Sequence, residues 1–168
     1  IDIEELAGTV PFEEVWGLVV NESLQRGLPL PGPDVEPASR TGDARVDLQA
    51  TLPTLAAQWG LRQLVDIDAD GARDDLARLS SATLSIVSQA LRGDDAPVAK
   101  TDVEQGKTAA EQFLIRWRGE CDQREARALD VYWVSATEHG MNSSTFTVRI
   151  AASTGADGAP GVPRPWPQ

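Results

Sequence analysis

The sequence predicts an all-α fold of several short helices packed on one another. Three observations carry that reading. Apolar residues recur at intervals of three and four in successive stretches, residues that start and stop helices bracket those stretches, and the connections between them are short.

The opening "DIEELAGTVPFEEVWGLVV" reads as two helices. Asp2 can cap the first, Pro11 suits the first turn of the second, and Phe12, Val15, Trp16 and Val19 share one face as core-type positions. The stretch "RGLPLPGPDVEPASRTGDAR" that follows is a Pro/Gly-rich connector without apolar periodicity, expected as an exposed loop. From Val46 to about Leu64, the residues Leu48, Leu52, Leu55, Ala56 and Trp59 fit a helix with Pro53 in a tolerated early position and a break near Gly60.

The next segment, "DIDADGARDDLA" from Asp66 to Ala77, has two readings. Asp66, Asp68, Asp70, Gly71 and Asp74 fall in register with a calcium-binding loop, whose oxygen ligands and glycine turn occupy those places. Ala77 stands where the bidentate glutamate belongs, Arg73 stands where an apolar residue is usual, and no second such loop occurs. The competing reading is a helix start near Ala72, with Asp70 as cap and Asp74 and Asp75 in the first turn at the positive end of the helix dipole. Leu76, Leu79, Thr83, Ile86, Val87, Ala90 and Leu91 then line one side of a long helix that Gly93 ends. After the turn "DDAPVAKTD", Val103, Gly106, Ala110, Phe113, Leu114 and Trp117 mark one helix stopped near Gly119. Asp122 can cap another, with Ala126, Leu129, Tyr132, Trp133 and Ala136 inward. "STFTVRI" breaks the pattern, because Phe146, Val148 and Ile150 alternate with Thr147 and Arg149 as in a strand. The last eleven residues, "GAPGVPRPWPQ", hold four prolines and no periodicity, which predicts a disordered or extended segment.

Composition narrows the function. With 168 residues the chain has room for one domain. Fifteen Lys and Arg against 26 Asp and Glu give a net charge of −11, and no basic cluster is present, so neither nucleic acid nor an anionic membrane is expected as partner. The single Cys121 excludes an internal disulfide, and with the single His139 it cannot build a usual zinc site. A reducing cytoplasm suits such a chain, which also has no apolar run long enough to span a bilayer and no basic secretion signal at its start. The tryptophans Trp16, Trp59, Trp117 and Trp133 read as core residues at helical spacing.

His139 is the residue around which chemistry could gather. It could act as base for Ser143 or Ser144 in a nucleophilic set, although nothing in the spacing selects those partners. With the polar run "GMNSST" after it, it could also line a pocket for a small anion, or serve as a structural or merely exposed histidine.

The stretch "ALDVYWVSATEHGMNSSTFTVRIAASTGAD", Ala128 to Asp157, resembles the citrate synthase family. There a histidine, two variable residues and Asn-x-Ser-Thr precede a helix ending in Ser-Thr-Gly-Ala-Asp. "DIEELAGTVPFEEVWGLVV" is similar to that family's early segment, without the Tyr-Arg-Gly that usually precedes it, and "FLIRWRGE" fits an actinobacterial-looking branch. The resemblance covers residues 1–157 in family order and leaves 158–168 as a Pro/Gly-rich tail outside it.

The resemblance implies an incomplete citrate-synthase-like large domain of helices, from a homodimeric acyltransferase. Such an enzyme joins the acetyl group of acetyl-CoA to oxaloacetate and hydrolyses the thioester, at the start of the tricarboxylic acid cycle. Acetyl-CoA is a substrate there, and no cofactor is implied. The resemblance places His139 as an oxaloacetate contact, with Asn142 beside it, and turns the strand-like segment into a dimer-interface helix over Asn142 to Thr154. It also makes the acidic loop an interhelical turn with Asp70 as cap. The family's catalytic histidine lies in a Gly-Pro-x-His-Gly-Gly motif beyond Ser-Thr-Gly-Ala-Asp, with a second histidine and an aspartate further on. None has a counterpart here, so the expectation is an inactive fragment produced by truncation or frameshift, loosely packed or aggregating through uncovered apolar faces. The alternative is a non-enzymatic protein that binds a dicarboxylate or pairs with a full-length subunit.

Overall fold

A computed structural model describes residues 2–137, 140 and 143–155. Among them the regular elements are helices, with no strand, so the all-α expectation holds.

Helix α1 (Ile3–Leu6) starts at Asp2, whose carboxylate accepts from the Glu4 N–H at 3.0 Å. Helix α2 (Phe12–Asn21) begins directly after Pro11 and buries Val15 and Trp16. Val19, expected in the same face, is 56% exposed. The reason lies at Gly17, where a Cβ would sit 2.0 Å from the Gln25 carbonyl oxygen: the chain leaving α2 folds back over that side. Val19, two residues on, projects nearly opposite.

The Pro/Gly connector is irregular, as expected, but it is a pinned segment rather than a free loop. Leu28 is fully buried. Ala38 N–H donates to Thr51 Oγ1 at 2.8 Å on helix α3 (Ala44–Gln58). Three polar side chains of helix α4 (Ala69–Arg92) hold it further: Ser81 donates to Pro29 O, Ser85 Oγ accepts from Val35 N, and Gln89 donates to Val35 O at 2.8 Å. Asp43 caps α3, which therefore starts early enough to leave Pro53 inside the helix rather than near its first turn. Leu55 and Ala56 of α3, with Leu61 just after it, pack on Leu79, Ala82 and Ile86 of α4.

Helix α4 begins three residues before the expected Ala72, at Ala69. Asp68, not Asp70, caps it by accepting from Gly71 N at 2.8 Å, and Asp70 pairs instead with Arg73 at 2.9 Å. Gly71 lies inside a helix, so the segment does not make the turn that a calcium loop asks of its glycine. Gly93, with φ +69°, ends α4 as its spacing predicts. Leu76 and Leu91 are exposed, whereas Ser81, Ser85, Ser88 and Gln89 are buried, because α4 turns a polar stripe to the connector.

The single helix expected over Val103–Trp117 is two. Helix α5 (Lys100–Val103) stops, and helix α6 (Ala109–Arg118) restarts at a cap in which Thr108 Oγ1 accepts from Glu111 N while Glu111 accepts from Lys107 N. Gly106 sits in the break, so close to the α6 backbone that a Cβ would meet Gln112 N at 2.8 Å. Helix α7 (Gln123–Thr137) is capped by Asp122, as expected. Its buried residues are Ala126 and Val134, while Tyr132 and Ala136, expected inward, are exposed. Leu6, Val15 and Val134 join α1, α2 and α7; Phe113, Leu114 and Ala126 join α6 to α7.

The strand-like segment forms helix α8 (Ser143–Ser153), which corrects the reading from period and agrees with the one from resemblance. It buries none of its residues.

Candidate functional site

The candidate site is the segment of sequence between α7 and α8, residues 138–142. His139 and Asn142, the residues expected to contact substrate, fall outside the described residues, as does the segment 158–168 expected to be disordered or extended. What the structure describes is the frame on either side of them.

The α7 side is firmly anchored. Trp133 packs against Phe12 at 5.3 Å between ring centroids and edge-on against Phe113 at 5.4 Å, which ties α7 to α2 and α6. Phe113 also meets Trp117 edge-on. Asp130 accepts from Phe12 N at 2.9 Å, and Arg127 donates to Gly8 O. In the last turn of α7 the Thr137 hydroxyl donates to the Trp133 carbonyl at 2.8 Å. Gly140 then takes φ +87°, a left-handed conformation that favours glycine and turns the chain. On the α8 side, Ser143 and Ser144 are exposed in the first turn, and Thr147 donates to Ser143 O. The nucleophile reading of these serines turns on His139 and therefore lies outside the described residues.

Depressions elsewhere on the described residues include two beside α7. A cavity of about 230 Å³ lies among Thr9, Thr108, Glu111, Arg127 and Asp130, and a basin of about 580 Å³ surrounds Cys121 with Arg118, Asp122 and Glu125. Neither includes Thr137, Gly140 or Ser143. Burial pushes the Cys121 thiol up, and Glu111, Asp122 and Glu125 add to it, so it is a poor nucleophile at neutral pH. Among the described residues no group of three or more His, Cys, Asp or Glu is placed to hold a metal ion, and no helix is long and apolar enough to cross a membrane.

Sequence reasoning missed two acids that frame α7, one buried and one partly buried. Glu13 on α2 is 1% exposed and its carboxylate accepts from Ala109 N at 3.3 Å. Burial pushes its pKa up, with a further push from Asp130. Burial likewise raises Asp130. Spacing held the signal: Glu13 stands three and four residues before buried Trp16 and Gly17, and Asp130 four from both Ala126 and Val134. Arg116 is also buried, with Nε 3.4 Å from Asp34 Oδ1 but no hydrogen bond; burial lowers its pKa and Asp34 opposes that.

A model of the citrate synthase family, described as "Citrate synthase, C-terminal domain", matches residues 1–162. Proteins named "Putative citrate synthase 2" from Mycobacterium bovis and from two strains of Mycobacterium tuberculosis are each 48% identical over 159 residues. The match takes in 94% of this chain and 42% of each relative, so the chain spans about two-fifths of their length.

Proposed function

The chain belongs to the citrate synthase family, and from that premise we propose that its residues form part of the helical large domain of an acyltransferase that condenses acetyl-CoA with oxaloacetate and hydrolyses the thioester. His139 and Asn142 contact the oxaloacetate, and residues 1–168 by themselves do not turn over. The observation that carries this reading is the family match across residues 1–162 of a chain that holds one histidine. The chemistry needs a carboxylate to take a methyl proton and hydrogen-bond donors at both the forming enolate and the attacked ketone. One imidazole cannot serve both oxygens. The firm anchoring of α7, the element that precedes His139 in sequence, supports a substrate-contact role, because such contacts work best from rigid elements.

The test is acetyl-CoA-dependent citrate formation by the purified 168-residue chain. None above background is expected; turnover at a rate proportional to the chain would overturn the proposed inactivity. Stabilisation by oxaloacetate that is lost in H139A would support the dicarboxylate contact, and its absence at saturating oxaloacetate would count against it.

A second reading is pairing with a full-length subunit through the Asn142–Thr154 helix, giving the homodimer-like contact that the resemblance implies. Phe146, Val148 and Ile150, each at least half exposed on α8, favour it. Mixing with a full-length relative and measuring mass in solution decides it: a mixed dimer supports pairing, and two unmixed species refute it.

A further inference from the structure

The chain from Pro29 to Asp43 touches three helices, yet none of its residues is buried. Polar contacts hold it instead. Val35 N–H donates to Ser85 Oγ of α4 at 3.0 Å, Ala38 N–H donates to Thr51 Oγ1 of α3 at 2.8 Å, and Ser81 of α4 donates to Pro29 O. Asp34 supplies the link to α6. Its Oδ1 accepts from Gln89 Nε2 of α4 at 3.2 Å and lies 3.4 Å from Arg116 Nε of α6. Apolar contact is slight by comparison, with Val35 half-buried against the core between α3 and α4.

The two members of the ion pair are unequally placed. The Arg116 side chain is 7% exposed and that of Asp34 is 48% exposed, and the buried Arg116 Nε makes no hydrogen bond. A guanidinium shut away in this manner has given up hydration that one imperfect pair does not restore. Asp34 lies against that nitrogen, so lifting its segment admits water to it. We infer that residues 29–40 form a strap that undocks from α3, α4 and α6 as one unit while those helices stay folded, with the Asp34–Arg116 pair setting how readily it does so.

Three features make the strap a separate unit. Its attachments are hydrogen bonds that water can replace when it leaves, so opening forfeits little apolar burial. Pro29, Pro31, Pro33 and Pro37 each fix a backbone dihedral, so the segment is stiff and its attachments go together rather than one by one. Its two ends are fixed, by buried Leu28 on one side and by Asp43, the cap of α3, on the other. Opening uncovers the polar stripe of α4 at Ser81, Ser85 and Gln89 and leaves the packing of Leu79, Ala82 and Ile86 on α3 in place.

The test is residue-resolved amide exchange of the full 168-residue chain in low urea, read at Val35 and Ala38 of the strap and at Ile86 of α4 and Phe113 of α6. Val35 and Ala38 are bound to different helices, so a shared opening, with one urea dependence weaker than that of Ile86 and Phe113, is the expected result. Asp34→Asn keeps the acceptor toward Gln89 and leaves Arg116 charged and unpaired. Both strap amides should then exchange about tenfold faster, with Ile86 unchanged. Arg116→Met should not quicken them, because methionine needs no partner and Asp34 is already half in water. In the R116M background the Asp34→Asn effect should vanish. Strap amides that open only together with Ile86 and Phe113 overturn the inference, as does a D34N effect confined to Val35, faster strap exchange in R116M, or a D34N effect that persists there.

Discussion

Helices α4 and α8 carry opposite mismatches between what their residues are and where they lie. Helix α4 buries Ser81, Ser85, Ser88 and Gln89 beside Leu79, Ala82 and Ile86, because it is covered by α3, by α6 and, on its polar side, by the backbone of the connector. Helix α8 offers Phe146, Val148 and Ile150 and buries none of them, at 59%, 57% and 50% exposure. The difference shows that burial follows from the partner that comes to lie on a face. Serine is a suitable lining where the partner is backbone with N–H and C=O groups to satisfy, and phenylalanine stays more than half exposed where no such partner covers it.

The largest effect that would break this contrast belongs to the apolar side of α4. Ile86 is wholly buried in the cluster it shares with Leu55 and Leu79. Ile86→Ala is expected to lower the free energy of unfolding by about 2–5 kcal/mol in urea titration followed by helical circular dichroism. A loss under about 1 kcal/mol would mean that α3 and α4 do not pack as described.

Next comes the polar side. Gln89 donates to Val35 O and to Asp34 at 2.8 and 3.2 Å, so Gln89→Ala leaves a connector carbonyl without this donor and costs about 1–3 kcal/mol. Amide exchange should quicken over residues 29–41 and not in α8. A change confined to α8 would refute the pinning role.

Asp47 sharpens the same point through pH. One of its oxygens accepts from Thr41 N, Ser39 Oγ and Thr41 Oγ1 at 2.9 to 3.0 Å, and the Thr41 N–H above all holds the carboxyl below the usual aspartate range. A depressed folded value contributes stability above the unfolded pKa and loses it as pH falls through the folded one. Asp47→Asn should therefore be less stable than the parent near neutrality, with the deficit fading as pH drops below about 4. A deficit that is constant with pH would show that the carboxylate charge has no part in holding the connector.

These residues also mark what the sequence made legible. Helix starts at Asp2 and Asp122 and stops at Gly93 and Gly119 could be read directly, because capping is a local bargain between one side chain and its own next turn. The long-range acids could not. Glu13 and Asp130 bond to residues about a hundred positions away, and only their spacing from buried neighbours gave a sign of it. The break at Gly106 was hidden because Val103 and Ala110 keep helical spacing across it, although the Thr108-to-Glu111 capping box was there to be read. For the site, family resemblance alone gave His139 and Asn142 their role as oxaloacetate contacts, while the residues around His139 left an anion pocket, a nucleophile pair and a structural or merely exposed histidine as readings.

The smallest effect on stability is expected in α8, and it is informative for that reason. Phe146 and Ile150 are four apart and share one face, whereas Val148 lies two from each and points nearly opposite. A helix apolar on opposite sides is suited to being enclosed rather than to lying on a surface. Ile150→Gln should change unfolding free energy by less than about 0.5 kcal/mol, since the side chain is already half in water. The same substitution, combined with Phe146→Gln, should reduce concentration-dependent association measured by sedimentation, because it removes the apolar patch without touching the cores between α3, α4, α6 and α7. A large loss of stability would place α8 inside a packed interface within the chain. Unchanged association would remove α8 as the contact and, with it, the pairing reading of the Asn142–Thr154 helix.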